Sequence, residues 1–253
     1  MNSGYYDMIF KRKSFHVFRD TGQLSAQELQ DIHAQMRALT PLVGQIRTTY
    51  RIVPRGQTTC GRGEYCILLY SERKEGYLQN IGYLGGQLDL WLASRNIGAC
   101  WYGVGKPLPS GDNSTLNGLE FVIMLAIGRA DPSEFRKDYT KAKRKPLEEI
   151  WIGDPLDGVS QTVRFTPSAC NTQPWLVERS GNRLTLYRVL GKRGMMPRDR
   201  VSYFNRIDLG IFQHFLELCL AHEGYFFTRE LYPDEGGEQE KTLCAIYELL
   251  TAE

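Results

Sequence analysis

The chain has 253 residues, 42% of them hydrophobic, enough for a sizeable core in one large domain or two small ones. Its 31 basic and 29 acidic side chains leave a formal net charge of +2, which gives no reason to expect nucleic acid or an acidic membrane as partner. The longest strongly apolar run, Phe121 to Ile127, is too short to span a bilayer and reads as a buried strand.

In chain order, the N-terminus has no basic region followed by an apolar run, so no secretory signal is expected. Residues 8–20 set Lys11, Arg12 and Lys13 beside Ser14, bracketed by aromatics. Ser25 and Glu28 form a capping box that starts a helix running to about Leu39. Tyr65 to Tyr70 is an apolar strand, and Ile81 to Asn96 carries apolar residues at helical spacing with Gly98 just past its end. Ala99 to Pro107 reads as a Gly-rich loop before the 121–127 strand, and Arg129 to Leu147 as a long polar connection. Strands follow at about 176–179 and 183–190, then an amphipathic helix from Val201 to His222 closed by Gly224. After a Gly/Glu-rich turn at 234–240 comes a last strand at about 243–249. The six cysteines lack C-x-x-C spacing and the four histidines lack metal-ligand spacing. Reduced thiols in a cytoplasmic protein fit better than a zinc site or a disulfide framework.

The most distinctive stretch is Thr166-Pro167-Ser168-Ala169-Cys170-Asn171-Thr172-Gln173-Pro174-Trp175. Its two prolines rigidify a loop, and Ser168 and Asn171 can grip a polar ligand edge or cap a turn; both readings stand on residue type alone. The pattern Pro-Ser-x-x-Asn-x-Gln-Pro-Trp resembles the signature of the nitroreductase family of FMN-dependent oxidoreductases.

Sliding the chain along itself by 126 residues sets Tyr77 on Tyr203, Ile81 on Ile207, Gln87 on Gln213, Leu90 on Leu216, Leu92 on Leu218 and Gly98 on Gly224. At the same offset Thr40-Pro41-Leu42-Val43-Gly44-Gln45 falls on Thr166 to Asn171. A duplication is expected from this coincidence of Tyr, Gln, Gly and Thr-Pro.

Members of the resembled family form intertwined two-fold dimers with FMN held between subunits. The resemblance therefore implies an α+β, nitroreductase-like fold with two related halves fused in one chain, 1–150 and 151–253, around a central mixed sheet flanked by helices. The first half keeps the phosphate arm Arg12, Lys13 and Ser14, but has Leu42 and Gln45 where the second keeps Pro167, Ser168, Ala169, Cys170 and Asn171. One whole flavin site and one dead one are implied, in a monomer that is its own pseudo-dimer and that associates further or not. By the same resemblance Arg144 closes on the FMN phosphate, and His16 stands where the family commonly has a basic residue beside the ring. Tyr102, Gly103 and Val104 approach flavin N5, although the family often has an acidic residue before its Gly there. NAD(P)H is the implied co-substrate and a small electron acceptor, a nitroaromatic or quinone, the implied partner, with no side chain required as catalytic acid or base. A degenerate relative that binds flavin or another ligand without turnover is the rival, and a specialised flavin oxidoreductase on a metabolite is a third reading. Gly103-Val104-Gly105-Lys106 fails as a P-loop because Pro107 stands where Ser or Thr is required.

Overall fold

Two long helices, α3 (Tyr77–Ser94) and α5 (Val201–His222), pack against each other at the centre of the molecule. Glycine permits the contact. A Cβ on Gly82 would stand 2.0 Å from the Ile207 carbonyl oxygen, and one on Gly210 would stand 1.9 Å from that of Gln79. The computed structural model describes residues 3–19, 21–109, 114–190, 194–237 and 239–250. Asp20, in the expected basic segment, and Glu238, in the expected turn, lie outside them.

A five-stranded sheet lies on either side of this helix pair. The first comprises β1 (Thr48–Pro54), β2 (Tyr65–Ser71), β3 (Ile97–Tyr102), β4 (Thr115–Leu116) and β5 (Leu119–Arg129), in the order β1-β2-β5-β3 with β4 paired to β5. The second comprises β6 (Trp151–Ile152), β7 (Trp175–Ser180), β8 (Arg183–Val189), β9 (Phe226–Leu231) and β10 (Lys241–Leu250), in the order β6-β7-β8-β10-β9. Apart from β4 and β6 the sheets correspond strand for strand. Every pairing between corresponding strands is antiparallel, and the long helix enters between the second and third of them in each. The expected single mixed sheet is thus replaced by two sheets. Among the described strands only the short β6–β7 pairing is parallel. Pairing partners far apart in sequence carry no local signal, which is why the division into two sheets escapes a reading of periodicity.

The remaining helices are short α1 (Met8–Lys11), α2 (Ala26–Ala38) and α4 (Val159–Val163). Both bonds of the capping box form at α2, where Ser25 Oγ accepts from the Glu28 N–H and Glu28 accepts from the Ser25 N–H. The stretch expected as a Gly-rich loop is β3 over its first half. Gly98 lies inside that strand because the Phe15 ring covers it, leaving 2.9 Å for any Cβ.

The core is continuous across the helix pair, joining Leu125 and Ile127 of the first sheet to Leu184 and Leu186 of the second. The N-terminal segment reaches across to α4 and the C-terminal end of α5. Tyr6 stacks on His222 with centroids 3.5 Å apart and meets Thr162 Oγ1 at 3.0 Å, while Phe10 packs edge-on to Phe165. All six cysteines are free, and no described helix is long and apolar enough to cross a membrane.

Candidate functional site

The loop 166–175 is held in an uncommon backbone conformation. Cys170 (φ 49°), Asn171 (φ 55°) and Gln173 (φ 49°) all lie in the left-handed region, which costs non-glycine residues about 1 kcal/mol or more each. Compensating contacts fix it. The Ala169 N–H donates to Asp208 Oδ1 of α5 at 3.0 Å, and the Gln173 N–H donates to Ser168 Oγ at 2.9 Å. Gln173 Oε1 accepts from the Lys145 N–H, and Asn171 Nδ2 donates to the Lys143 carbonyl. Pro167 and Trp175 are buried beneath, Trp175 stacking on Phe212 at 4.8 Å, whereas Cys170 and Asn171 are exposed. Ser168 and Asn171 are therefore spoken for within the loop and its neighbours.

Arg144 brings the loop to the N-terminal arm. Its Nη1 donates to Asn171 Oδ1 at 2.9 Å and its Nη2 to the Phe165 carbonyl at 3.3 Å. Burial, and then the charges of Arg12, Arg136 and Arg164, push its pKa down to about 10. Arg136 is pushed down to about 10 by burial and then by Arg12. Four arginines thus share one region. Arg164 is engaged by Gln161 and the Lys145 carbonyl. Arg12, 2% exposed, has the carboxylate of Asp89 3.0 Å from its Nε, an ion-pair distance at an angle unsuited to a hydrogen bond. Arg12 Nη2, Arg136 Nη1 and Arg144 Nε are buried with no partner among the described residues. Like charges gathered away from water with free N–H groups are costly alone, and an anion offsets them. The donor set fits a phosphate group.

The arm itself runs beside β3, Ser14 bridging Ala99 and the Phe15 N–H donating to the Ala99 carbonyl at 3.0 Å. Lys13 does not join Arg12. Its ammonium lies 4.6 Å from the Phe15 ring centre.

At the far end of β3 a second group forms. His16 Nδ1 lies 2.8 Å from Arg62 Nη1, and the Arg62 guanidinium covers the Tyr102 ring at 5.3 Å. The Tyr102 side chain packs with the small outer core of the first sheet, while Trp101 points inward and donates to Asp89 Oδ2 at 3.2 Å. The His16 and Tyr102 side chains are thus grouped with Arg62 and not with Arg144 and Asn171. Gly103 lies against the Phe204 ring of α5, 2.6 Å from any added Cβ, and Val104 is 66% exposed. Phe204 and Asp208 are one helical turn apart, so one stretch of α5 receives both the Gly103 loop and the Ala169 loop.

A scan against protein families matches residues 5–219 to the family described as "Putative TM nitroreductase". The chain belongs to this nitroreductase family. A solved Thermotoga maritima structure with the same nitroreductase description is similar over 97% of this chain and 92% of its own, at 16% identity and a TM-score of 0.62, a likeness of fold. Partial likenesses extend to a nitroreductase family protein from Clostridium difficile 630 (14% identity, 57% of this chain, 94% of its own, TM-score 0.45). A protein named FMN-dependent nitroreductase from Clostridium difficile R20291 is similar to the same degree (14%, 55%, 98%, TM-score 0.40). Among curated proteins nothing matches.

In this nitroreductase-family chain, Arg12, Arg144 and the Asn171 loop come together, while Lys13 is turned away. Sequence reasoning misses Arg136, Arg164, Arg62, Asp89 and Asp208. Only Asp89 has a local signal, as the one charged residue in the apolar helix α3.

Proposed function

We propose that the chain is an FMN-dependent oxidoreductase passing hydride from NAD(P)H to a small acceptor, such as a nitroaromatic or a quinone, in a ping-pong sequence. The observation that carries this reading is the arginine group, whose unpartnered N–H donors lie where the arm meets the Asn171 loop. Arg12, Arg136 and Arg144 would hold the FMN phosphate, with Asp89 fixing Arg12 and Asn171 fixing Arg144. When bound, FMN would supply the centre that accepts and returns the hydride. The chain positions that centre and shields it from water. Gly103 keeps the backbone close to α5, and the His16–Arg62 pair supplies a cation near the end of β3 where the family commonly has a basic residue.

We further read residues 1–150 and 151–253 as halves descended from one duplicated unit, with a single chain as the competent species. The matching strand orders and the 126-residue offset support this. Light scattering is expected to find one chain sufficient for cofactor retention.

Absorbance tests the whole reading. Purified protein should be yellow, bleach with NAD(P)H under nitrogen, and recover its colour on adding a quinone. A colourless protein contradicts flavin binding. Colour without bleaching supports the non-turnover relative instead.

A further inference from the structure

The guanidinium of Arg200, immediately before α5, lies over two aromatic rings, 4.6 Å from the Tyr203 centroid and 5.9 Å from that of Phe204. Both rings are fixed. Tyr203 donates its hydroxyl proton to the Val122 carbonyl at 2.7 Å, and Phe204 is 6% exposed with Gly103 packed on it. Contact with a ring holds a guanidinium by its face and leaves the N–H groups along its edge able to donate. Arg200 is exposed and has no carboxylate partner among the described residues. Comparable cations elsewhere are neutralised. Arg73, over Tyr77 at 5.4 Å, meets Glu120 at 2.8 Å. Lys74, which the 126-residue offset sets on Arg200, meets Glu72 at 3.2 Å.

Phe204 touches both Arg200 and Gly103, so this open cation stands on the same ring as the Tyr102–Val104 segment. Next to Gly103, Val104 presents an apolar side chain that is 66% exposed. In the oxidoreductase reading this segment borders the reacting ring. A molecule arriving there meets an apolar surface and a guanidinium whose donors are unspent, a pairing suited to an aromatic anion.

We propose that Arg200 is a specificity-determining residue, selecting electron acceptors whose aromatic ring carries a carboxylate. The carboxylate accepts from the edge of the guanidinium while the ring lies against Val104. The inference rests on the proposed oxidoreductase activity and adds the charge of its acceptor. With a nitroaromatic acid, reduction of the nitro group to nitroso takes two electrons and two protons, supplied by the reduced flavin, and releases water.

The probes are 4-nitrobenzoate and 4-nitrobenzamide, an uncharged analogue of like shape, added to full-length protein saturated with FMN. Calorimetry on the oxidised protein reads binding, and reoxidation of photoreduced protein under nitrogen reads the acceptor step without NAD(P)H. The wild type should favour nitrobenzoate about fivefold in both, as for a partly solvated ion pair. Arg200→Gln should lose that preference by weakening nitrobenzoate alone, and Arg200→Lys should regain part of it. Flavin content, limiting reoxidation rate and bleaching by NAD(P)H should stay at wild-type values in both variants. Equal affinity of the wild type for the two compounds, use of neither, or an unchanged preference in Arg200→Gln overturns the proposal. So does slower bleaching of Arg200→Gln by NAD(P)H with its acceptor preference intact, which would assign the arginine to the donor. In each of these cases the protein is still yellow. A colourless protein instead refutes the oxidoreductase reading, and this inference with it.

Discussion

Arg144 and Asn171, 27 residues apart, are joined by a 2.9 Å hydrogen bond from Nη1 to Oδ1, and Asn171 adopts a left-handed backbone at the same position. The bond ties the 129–147 connection to the 166–175 loop, and so holds a half-buried cation where the N-terminal arm arrives. Asn171→Ala removes the acceptor and places alanine where asparagine is better tolerated. FMN affinity should fall about tenfold, the worth of one hydrogen bond to a charged group, in a fluorescence titration. Unchanged affinity would show that the loop does not serve the site.

Asp208 gives a pH signature. Burial raises its pKa from 3.8 to about 8, against a smaller opposing effect from the Ala169 N–H. The folded state then holds a proton that the unfolded state has released, so this stability is fully present below pH 3.8 and is lost as pH rises through about 8. His214 works the other way in a lower window: burial pushes it from 6.5 to about 3, and stability is lost as pH falls below 6.5. Between pH 6.5 and 8 only the first effect of the two operates. Urea unfolding of the wild type should weaken there by up to about 1.4 kcal/mol per pH unit, and Asp208→Asn should be flatter. Parallel slopes would mean that Asp208 is ionised in the fold.

The helix crossing can be tested with three glycines. Alanine is the better helix former by about 1 kcal/mol, yet at Gly82 and Gly210 its Cβ would meet backbone carbonyl oxygens at 2.0 and 1.9 Å. Backbone cannot rotate aside, so the overpacking cost of about 1–3 kcal/mol or more wins, and both variants should melt lower. At Gly86 the nearest atoms are 3.5 Å away, so Gly86→Ala should be neutral or stabilising. A common response of all three to thermal melting would contradict the packing described.

Asp89 is the acid that compensates buried Arg12. Asp89→Leu strands that guanidinium and should cost about 3–5 kcal/mol in chemical unfolding. Asp89→Leu combined with Arg12→Met should regain much of the loss while failing to retain FMN. A double variant no more stable than the single one would mean that the pair is not coupled.

Much of the scaffold is legible in sequence because its signals are local. The Ser25 capping box fixes the start of α2, and apolar periodicity ended by Gly224 marks α5 from Val201 to His222. Where signals are non-local they mislead. Gly98 reads as the end of the preceding helix and Ala99 to Pro107 as loop, yet Gly98 to Tyr102 are strand, with Phe15 packed on Gly98, and Gly103 is small because Phe204 needs the space. Strand β1 hides behind Arg51 and Pro54, and its sequence lacks a clean alternation. At the site, Arg12, Arg144 and Asn171 are readable through resemblance. Arg136 and Arg164 look like ordinary surface cations until the fold turns them toward the same point, and Lys13 looks like a ligand until Phe15 claims it.

The central claim is that the arginines of the arm and the connection together hold a phosphate. Its most direct measure is the affinity of Arg12→Ala and Arg144→Ala for FMN and for riboflavin, which differ only by that phosphate. Each variant should lose about 10- to 100-fold in FMN affinity, as expected for a charged hydrogen-bonding group, with riboflavin affinity close to wild type. Equal losses for FMN and riboflavin in both variants would contradict it.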